Sequence, residues 1–483
     1  MNPNGCGGAV CLDSDRHMGW AAMDFKRNVY DELLAWRNSP HRKPLLLRGA
    51  RQVGKTHMLR TLGAQEYQSL SYVTLFNQDA KEAMEQVKSP SMLLDNMEAY
   101  TGVRAEPGNT LLVIDEVQEV PALYEQIKTF NETYPDMHLA LAGSYLGLAM
   151  HSGVSFPVGN VDIVTMTPMT YAEFLRAVGD GILADALEAQ NIETLTALTS
   201  RLEQRFRQYC VIGGMPAVVE GFIESGYAQA RRIQNVLLSN YDMDFSKHPS
   251  KGVDVERIRL VFSQAIPSHL AQENNHKFMF SHIGKGARAS QYESAVQTIV
   301  DSGLALRVHK VKVPRKPLRL YEDQSSFKLY MHDVGLLGAA LAVSPADIVT
   351  NDRGLVEYKG VMAEQFVCQE LVAAGFAPSY WNNDSSTAEV DFVFSSSRGV
   401  TPLEVKAGEG RTKRSLQGLC AEYGLHGWRA SMRGYKEQDW LTNIPLWMVG
   451  TMFRPSGEED FAPDAGADLG AIEEPERTEA IGE

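Results

Sequence analysis

A chain of 483 residues is longer than one ordinary hydrophobic core supports, so two or three domains are expected. Hydrophobic residues make up 44% and charged residues 22%, a balance that excludes a chain disordered throughout. The net charge of −14 is uneven: ten acidic residues and two arginines lie from Thr451 onward, leaving −6 for the first 450 residues, so the acidity does not exclude a nucleic-acid partner.

Residues 1–22 carry Asp13, Asp15 and four glycines, with no periodicity and no apolar run of the kind a signal peptide has. They read as a disordered extension. No segment of the chain approaches the roughly 20 apolar residues of a membrane span, and a cytoplasmic protein with no membrane partner is expected. The five cysteines are odd in number and scattered, which suits a reducing compartment and small buried side chains. Cys6 and Cys11 resemble half a metal site that no nearby His or Cys pair completes.

A helical pattern begins at Met23, where Phe25, Val29, Leu33 and Trp36 recur at helical spacing. Residues 45–47, 72–76, 111–114, 139–142 and 161–165 then read as strands between helical segments. Runs this apolar suit a parallel sheet covered on both faces. This α/β unit is expected to span residues 23–175. A mostly helical connector, broken at Gly213-Gly214-Met215-Pro216, is expected over 176–250. Helices at 255–270 and 289–302 followed by a basic ribbon at 304–313 fit a winged-helix module over 251–320. An α/β domain follows over 321–450, and an acidic disordered tail over 451–483.

Gly49-Ala50-Arg51-Gln52-Val53-Gly54-Lys55-Thr56 fits G-x-x-x-x-G-K-[ST] at every fixed position, with an apolar strand before it and a helix after it. The glycines let backbone amides and the helix N-terminus approach phosphates closely. Lys55 is expected to neutralise the β- and γ-phosphates of ATP, and the Thr56 hydroxyl to ligate Mg²⁺. Residues 111–114 run into Asp115 and Glu116, which describes a buried strand ending at a metal site. Asp115 would hold Mg²⁺ and Glu116 would act as general base toward the attacking water. Ser144, after the strand at 139–142, is placed to hydrogen-bond the γ-phosphate or that water; a Gly-Ser pair also ends strands for ordinary turn reasons.

A second constellation lies near the C-terminus. Residues 388–394 alternate like a strand, and 403–407 read as the next one. Glu404 and Lys406 share a face, with Asp391 on the neighbouring strand and Glu364 on a preceding helix. Three carboxylates suit Mg²⁺, and Lys406 would orient a nucleophile. The same spacing also describes a surface salt-bridge ladder. Arg411, Lys413 and Arg414 follow, a basic cluster suited to a phosphate backbone. Between the constellations, Arg307, Lys310, Lys312, Arg315, Lys316 and Arg319 form either a DNA-tracking wing or a solvated ribbon edge.

Taken together, the Gly49–Thr56 loop, Ile114-Asp115-Glu116-Val117-Gln118-Glu119 and Ala142-Gly143-Ser144 resemble the AAA-type ATPases of bacteria and archaea that carry an uncharacterised nuclease-like C-terminal domain. The resemblance continues through the segments at 167–174, 213–216 and 327–336. It implies a P-loop NTPase parallel sheet, then a helical and winged-helix segment, then a restriction-endonuclease-like α/β domain. It implies ATP and Mg²⁺ as cofactors, and Glu364, Asp391, Glu404 and Lys406 as a nuclease site. DNA and a second copy of the chain are the partners it suggests. A non-catalytic platform, switched by ATP in its grip on DNA or protein, is the rival reading. This chain departs from the family where Gly159 is followed by Asn160 rather than by a basic residue, which leaves any arginine finger unassigned.

Overall fold

The computed structural model describes residues 23–144, 159–247, 253–270, 277–350, 356–383, 388–407 and 414–455. The expected N-terminal extension, nearly all of the expected acidic tail, and Cys6, Cys11, Arg411 and Lys413 lie outside them.

The first sheet contains β1 (Leu45–Arg48), β2 (Ser69–Thr74), β3 (Thr110–Asp115), β4 (His138–Gly143) and β5 (Asp162–Thr165), in the order β2-β3-β4-β1-β5. All its pairs are parallel. β3 shows why its sequence is apolar at every position: Leu111 and Val113 enter one core while Leu112 and Ile114 enter another. A strand covered on both faces has no polar side to show. The five expected strands are present, with one displaced. β2 starts earlier than residue 72 and stops at Thr74, because Asn77 caps the helix Gln78–Glu85 by accepting from Asp79 N, and Phe76 is left 57% exposed.

The helices Thr199–Ile212 and Pro216–Lys247 meet at the Gly213–Pro216 turn, as expected. That turn is a packing site. A Cβ on Gly213 would lie 2.1 Å from Asp333 Oδ1, and one on Gly214 2.1 Å from the Met169 carbonyl. Asp333 accepts from Gly214 N at 2.6 Å and also caps the helix Val334–Ala340. The turn therefore joins the first sheet to the C-terminal half.

Eight strands form the second sheet: β6 (Ala305–Val311), β7 (Glu322–Met331), β8 (Ser379–Asn382), β9 (Glu389–Ser396), β10 (Gly399–Lys406), β11 (Gly427–Ser431), β12 (Lys436–Glu437) and β13 (Leu441–Pro445). Their order is β12-β13-β11-β10-β9-β8-β6-β7. The basic ribbon is the antiparallel hairpin β6–β7, preceded by helices Val255–Leu260, Ile266–Leu270 and Ala289–Asp301 as the sequence suggests. The expected domain boundary lies between residues 320 and 321. It cuts between the hairpin's two strands, and the hairpin is also joined to β8 through the pair Lys310 with Tyr380. The ribbon thus extends the C-terminal sheet, because edge strands left unpaired would expose backbone polar groups. Cys210, Cys368 and Cys420 are free and buried, as small apolar side chains.

Candidate nucleotide site and C-terminal carboxylates

Strand order places the first site. β4 lies between β1 and β3, with Arg48 beside Gly143 and Ala142 beside Asp115. The loop after β1, Ser144 after β4, and Asp115 and Glu116 at the end of β3 therefore stand together at the carboxyl ends of a parallel sheet, where ligands of such sheets bind. Glycine is required in the loop on two counts. Gly54 sits at φ 105°, and a Cβ on Gly49 would come within 2.2 Å of the Met166 carbonyl oxygen.

The side chains converge as the sequence implies. Thr56 Oγ1 donates to Asp115 Oδ2 at 2.6 Å, so the two groups expected to hold Mg²⁺ are already side by side. Tyr72, which sequence reading missed, donates to the same oxygen at 2.6 Å and orients the carboxylate. Asp115 Oδ1 accepts the Glu116 amide at 2.9 Å. Glu116 itself adopts φ 57°, left-handed for a non-glycine residue, and Gln118 donates to its carboxylate. Burial is the main cause raising the Glu116 carboxyl above its ordinary value. Lys55 Nζ donates to the Gly49 and Ala50 carbonyls, both at 2.9 Å, and to Ser144 Oγ at 3.2 Å. Burial lowers the Lys55 pKa to about 8, against the pull of Glu116 and Asp115. These residues fit ATP with Mg²⁺: a hydroxyl and a carboxylate side by side for the ion, and an ammonium among loop groups for phosphate.

Two arginines, Arg27 outside the motif and Arg51 within it, hold this loop to the rest of the molecule. Arg27 is buried and donates to the Val53 carbonyl at 3.0 Å, to the Thr167 carbonyl at 2.6 Å and to Glu173 at 3.1 Å. Arg51, within the loop, pairs with the buried Asp244 on the long helix, while Tyr241 donates to the Arg51 carbonyl at 3.0 Å. Spacing reveals neither pairing, since the partners lie 146 and 193 residues away.

The C-terminal constellation is differently arranged. Glu364 stands on the helix Val356–Ala373, Asp391 on β9, and Glu404 and Lys406 on β10. Electrostatically they are neighbours: Asp391 and Lys406 both act on Glu364, behind burial and Lys328 in weight. But each carboxylate has a resident partner. Lys328, fully buried on β7, pairs with Glu389 at 2.7 Å and Glu364 at 3.7 Å. Glu404 is held by Arg429 at 3.0 Å and Lys406 at 3.3 Å. Asp391 accepts the Val405 amide at 2.7 Å. Burial alone would discharge Lys328, yet Glu364, Glu389 and Asp391 hold its pKa above the usual value, so it stays an ammonium. Among the described residues no three His, Cys, Asp or Glu groups are placed to hold a metal ion. Lys328 and Arg429, which the spacing did not reveal, thus supply positive charge beside Glu364 and Glu404, the groups expected to hold Mg²⁺ with Asp391.

Residues 41–175 match the AAA domain. That match supports an ATP-binding, ATP-hydrolysing function for the first site. Residues 203–347 and 359–448 match two domains of unknown function, DUF8612 and DUF4143. No curated protein matches the chain. Among solved structures, C. elegans PCH-2 is similar at 16% identity, over 32% of this chain and 45% of that one, with a TM-score of 0.21. A STAND signal-transduction ATPase with a tetratricopeptide repeat sensor from Pyrococcus horikoshii is similar at 12% identity, over 73% and 46%, with a TM-score of 0.25. The chain therefore spans under half the length of both. The Thermotoga maritima RuvB Holliday junction branch migration motor is similar at 14% identity, over 61% and 91%, with a TM-score of 0.27. Likenesses at this level carry no functional argument. Among the described residues, no helix is long and apolar enough to cross a membrane.

Proposed function

We propose that this chain is a Mg²⁺-dependent ATPase whose nucleotide state is passed to the C-terminal module, which acts as a switched nucleic-acid-binding platform. The observation that carries this reading is the position of the β6–β7 hairpin. Its base rests on the P-loop: a Cβ on Gly303, just before β6, would lie 3.2 Å from the Ala50 amide. His332, just after β7, stacks edge-on against Tyr241 at 5.6 Å, the residue that donates to the Arg51 carbonyl. The P-loop therefore meets the hairpin's root directly at Gly303 and, through Tyr241, at His332.

In hydrolysis, Lys55 and the loop would hold the phosphates. Thr56 and Asp115 would hold Mg²⁺, which supplies charge neutralisation on the phosphate oxygens. Glu116 would take the proton of the attacking water, and Ser144 would hold that water or the γ-phosphate in line. The test is a pair of variants. Lys55→Ala should weaken nucleotide binding at least tenfold, and Glu116→Gln should bind ATP normally while hydrolysing it roughly 10²-fold or more slowly. Wild-type turnover in Glu116→Gln would remove Glu116 from the mechanism.

Nucleic-acid cleavage is the second reading, favoured by the gathering of Glu364, on its helix, with Asp391, Glu404 and Lys406 on adjoining strands. It requires Lys328 or Arg429 to release a carboxylate first. Cleavage of plasmid DNA with Mg²⁺ or Mn²⁺, abolished in Asp391→Ala and Glu404→Ala, would restore that reading over the platform.

A further inference from the structure

We propose that the tip of the β6–β7 hairpin, residues 312–320, is the surface that grips the sugar-phosphate backbone of double-stranded DNA; this rests on the platform reading above. From Ser302 to Tyr321 the chain contains six Lys and Arg residues and no Asp or Glu, within a protein of net charge −14. The fold sorts these cations into two groups. Arg307 is turned inward, paired with Glu293 at 3.0 Å and packed over the Phe327 ring at 4.5 Å. Lys310 stands opposite Asp323 in the hairpin register. Lys312, Arg315, Lys316 and Arg319 are exposed. Of these four, Lys312 acts electrostatically on the Asp323 carboxylate.

The tip is a built surface as well as a charged one. Val311 and Leu318 are buried in a cluster with Trp381, Val390, Leu416 and Leu419, so the loop is anchored on β8, β9 and the helix Arg414–Tyr423. The Arg315 guanidinium lies over the Tyr423 ring at 5.7 Å. An anchored loop presents its cations at little further loss of chain entropy, unlike a free tail. Arg414 is exposed at the start of the same helix. Such a surface reads phosphate and carries no base sequence information.

The hairpin also joins this surface to the nucleotide. β6 has seven residues, roughly 23 Å of strand at about 3.3 Å per residue, running from the P-loop contact at Gly303 to the tip. A shift at the root is carried along a paired, rigid element to the tip.

The experiment is fluorescence anisotropy of a labelled 25-base-pair duplex with the full chain, over a range of salt concentrations, without nucleotide and with ATP. Compared are wild type, the tip variant Lys312→Gln/Lys316→Gln/Arg319→Gln, and an equal-charge control, Lys26→Gln/Lys88→Gln/Arg104→Gln, exposed positions on the N-terminal half. Arg315 is kept because of its ring contact. The tip variant should bind at least tenfold more weakly, with a log–log salt slope shallower by roughly 2 to 3 units, since each phosphate contact contributes about 0.9. The control should match wild type. All three proteins should melt together and hydrolyse ATP at one rate, which separates lost contact from lost fold. Equal affinity and slope in the tip variant overturn the proposal, as does equal loss in the control. Wild type that ignores DNA at low salt but binds phosphatidylserine vesicles overturns it too. Tip-dependent binding that is indifferent to ATP supports the surface and fails only the switch.

Discussion

Lys55 faces two demands, because it must be charged to meet phosphate and yet is buried among loop carbonyls. Burial brings its pKa to about 8, and Glu116 and Asp115 limit the fall. The group that must carry charge in the complex is thus half-discharged near pH 8 before ATP arrives. Binding must then take up a proton, and affinity falls as pH rises through that value. Between pH 7 and pH 9 the apparent ATP affinity should drop roughly tenfold from this group alone. A fluorescent nucleotide titrated across that range checks it. Lys55→Ala should bind weakly at every pH with no such slope, and a flat wild-type profile would mean the ammonium is not what phosphate meets. Asp115 is held differently: Thr56, Tyr72 and the Glu116 amide all donate to it, which fixes the orientation of the carboxylate.

The helix Val356–Ala373 was legible from the sequence as the carrier of Glu364, and its main work lies elsewhere. Gln365 returns both hydrogen bonds of Met331, accepting from its amide at 2.9 Å and donating to its carbonyl at 2.6 Å, so it prolongs the sheet edge. Gln369 accepts from Val334 N and donates to the Tyr209 hydroxyl, both at 2.8 Å. Glu370 accepts the Tyr171 amide at 2.9 Å, fastening this helix to the first turn of the helix Tyr171–Ala177 that follows β5. Buried polar side chains in one helix signal clamps of this kind, but their partners, 34 to 199 residues away, leave no periodic trace. Burial raises the Glu370 pKa to about 8, only partly offset by that amide. A carboxyl whose folded pKa lies above its ordinary 4.5 binds a proton in the folded state that the unfolded chain has released. Its contribution to stability is complete below about pH 4.5 and is lost progressively as pH rises to about 8. Glu370→Gln keeps an acceptor for the Tyr171 amide and removes the charge. Its melting temperature relative to wild type should therefore climb between pH 5 and pH 8, by several degrees. Parallel melting curves across that range would show that the charge is accommodated without penalty.

Across the whole molecule, sequence pattern revealed most where chemistry or periodicity is local. The P-loop, the β3 carboxylates and the five parallel strands each announce themselves within about ten residues. Lys328 is embedded in an apolar strand, and nothing near it shows that it neutralises Glu364 and Glu389 from β7. The hairpin's attachment to the C-terminal sheet was equally hidden, because one pair, Lys310 with Tyr380, makes it. Long-range placement of this kind also decides whether the ATP site is heard elsewhere. Arg51 is the P-loop residue best placed to report, being tied to Asp244 by charge and to Tyr241 through its own carbonyl, with Tyr241 packed on His332 at the root of the hairpin. Asp244→Asn would loosen that tie and leave Lys55, Thr56, Asp115 and Glu116 untouched. In an otherwise wild-type chain, DNA affinity with and without ATP should differ by a coupling factor of about 5 to 150, the usual range for linked sites. In Asp244→Asn the factor should collapse toward one while ATP turnover stays within a few-fold of wild type. Linkage requires the reciprocal effect on ATP affinity to vanish with it, so two independent titrations must agree. If the coupling survives intact, the signal travels by the Gly303 contact with Ala50 instead, and Arg51 serves only to hold the long helix.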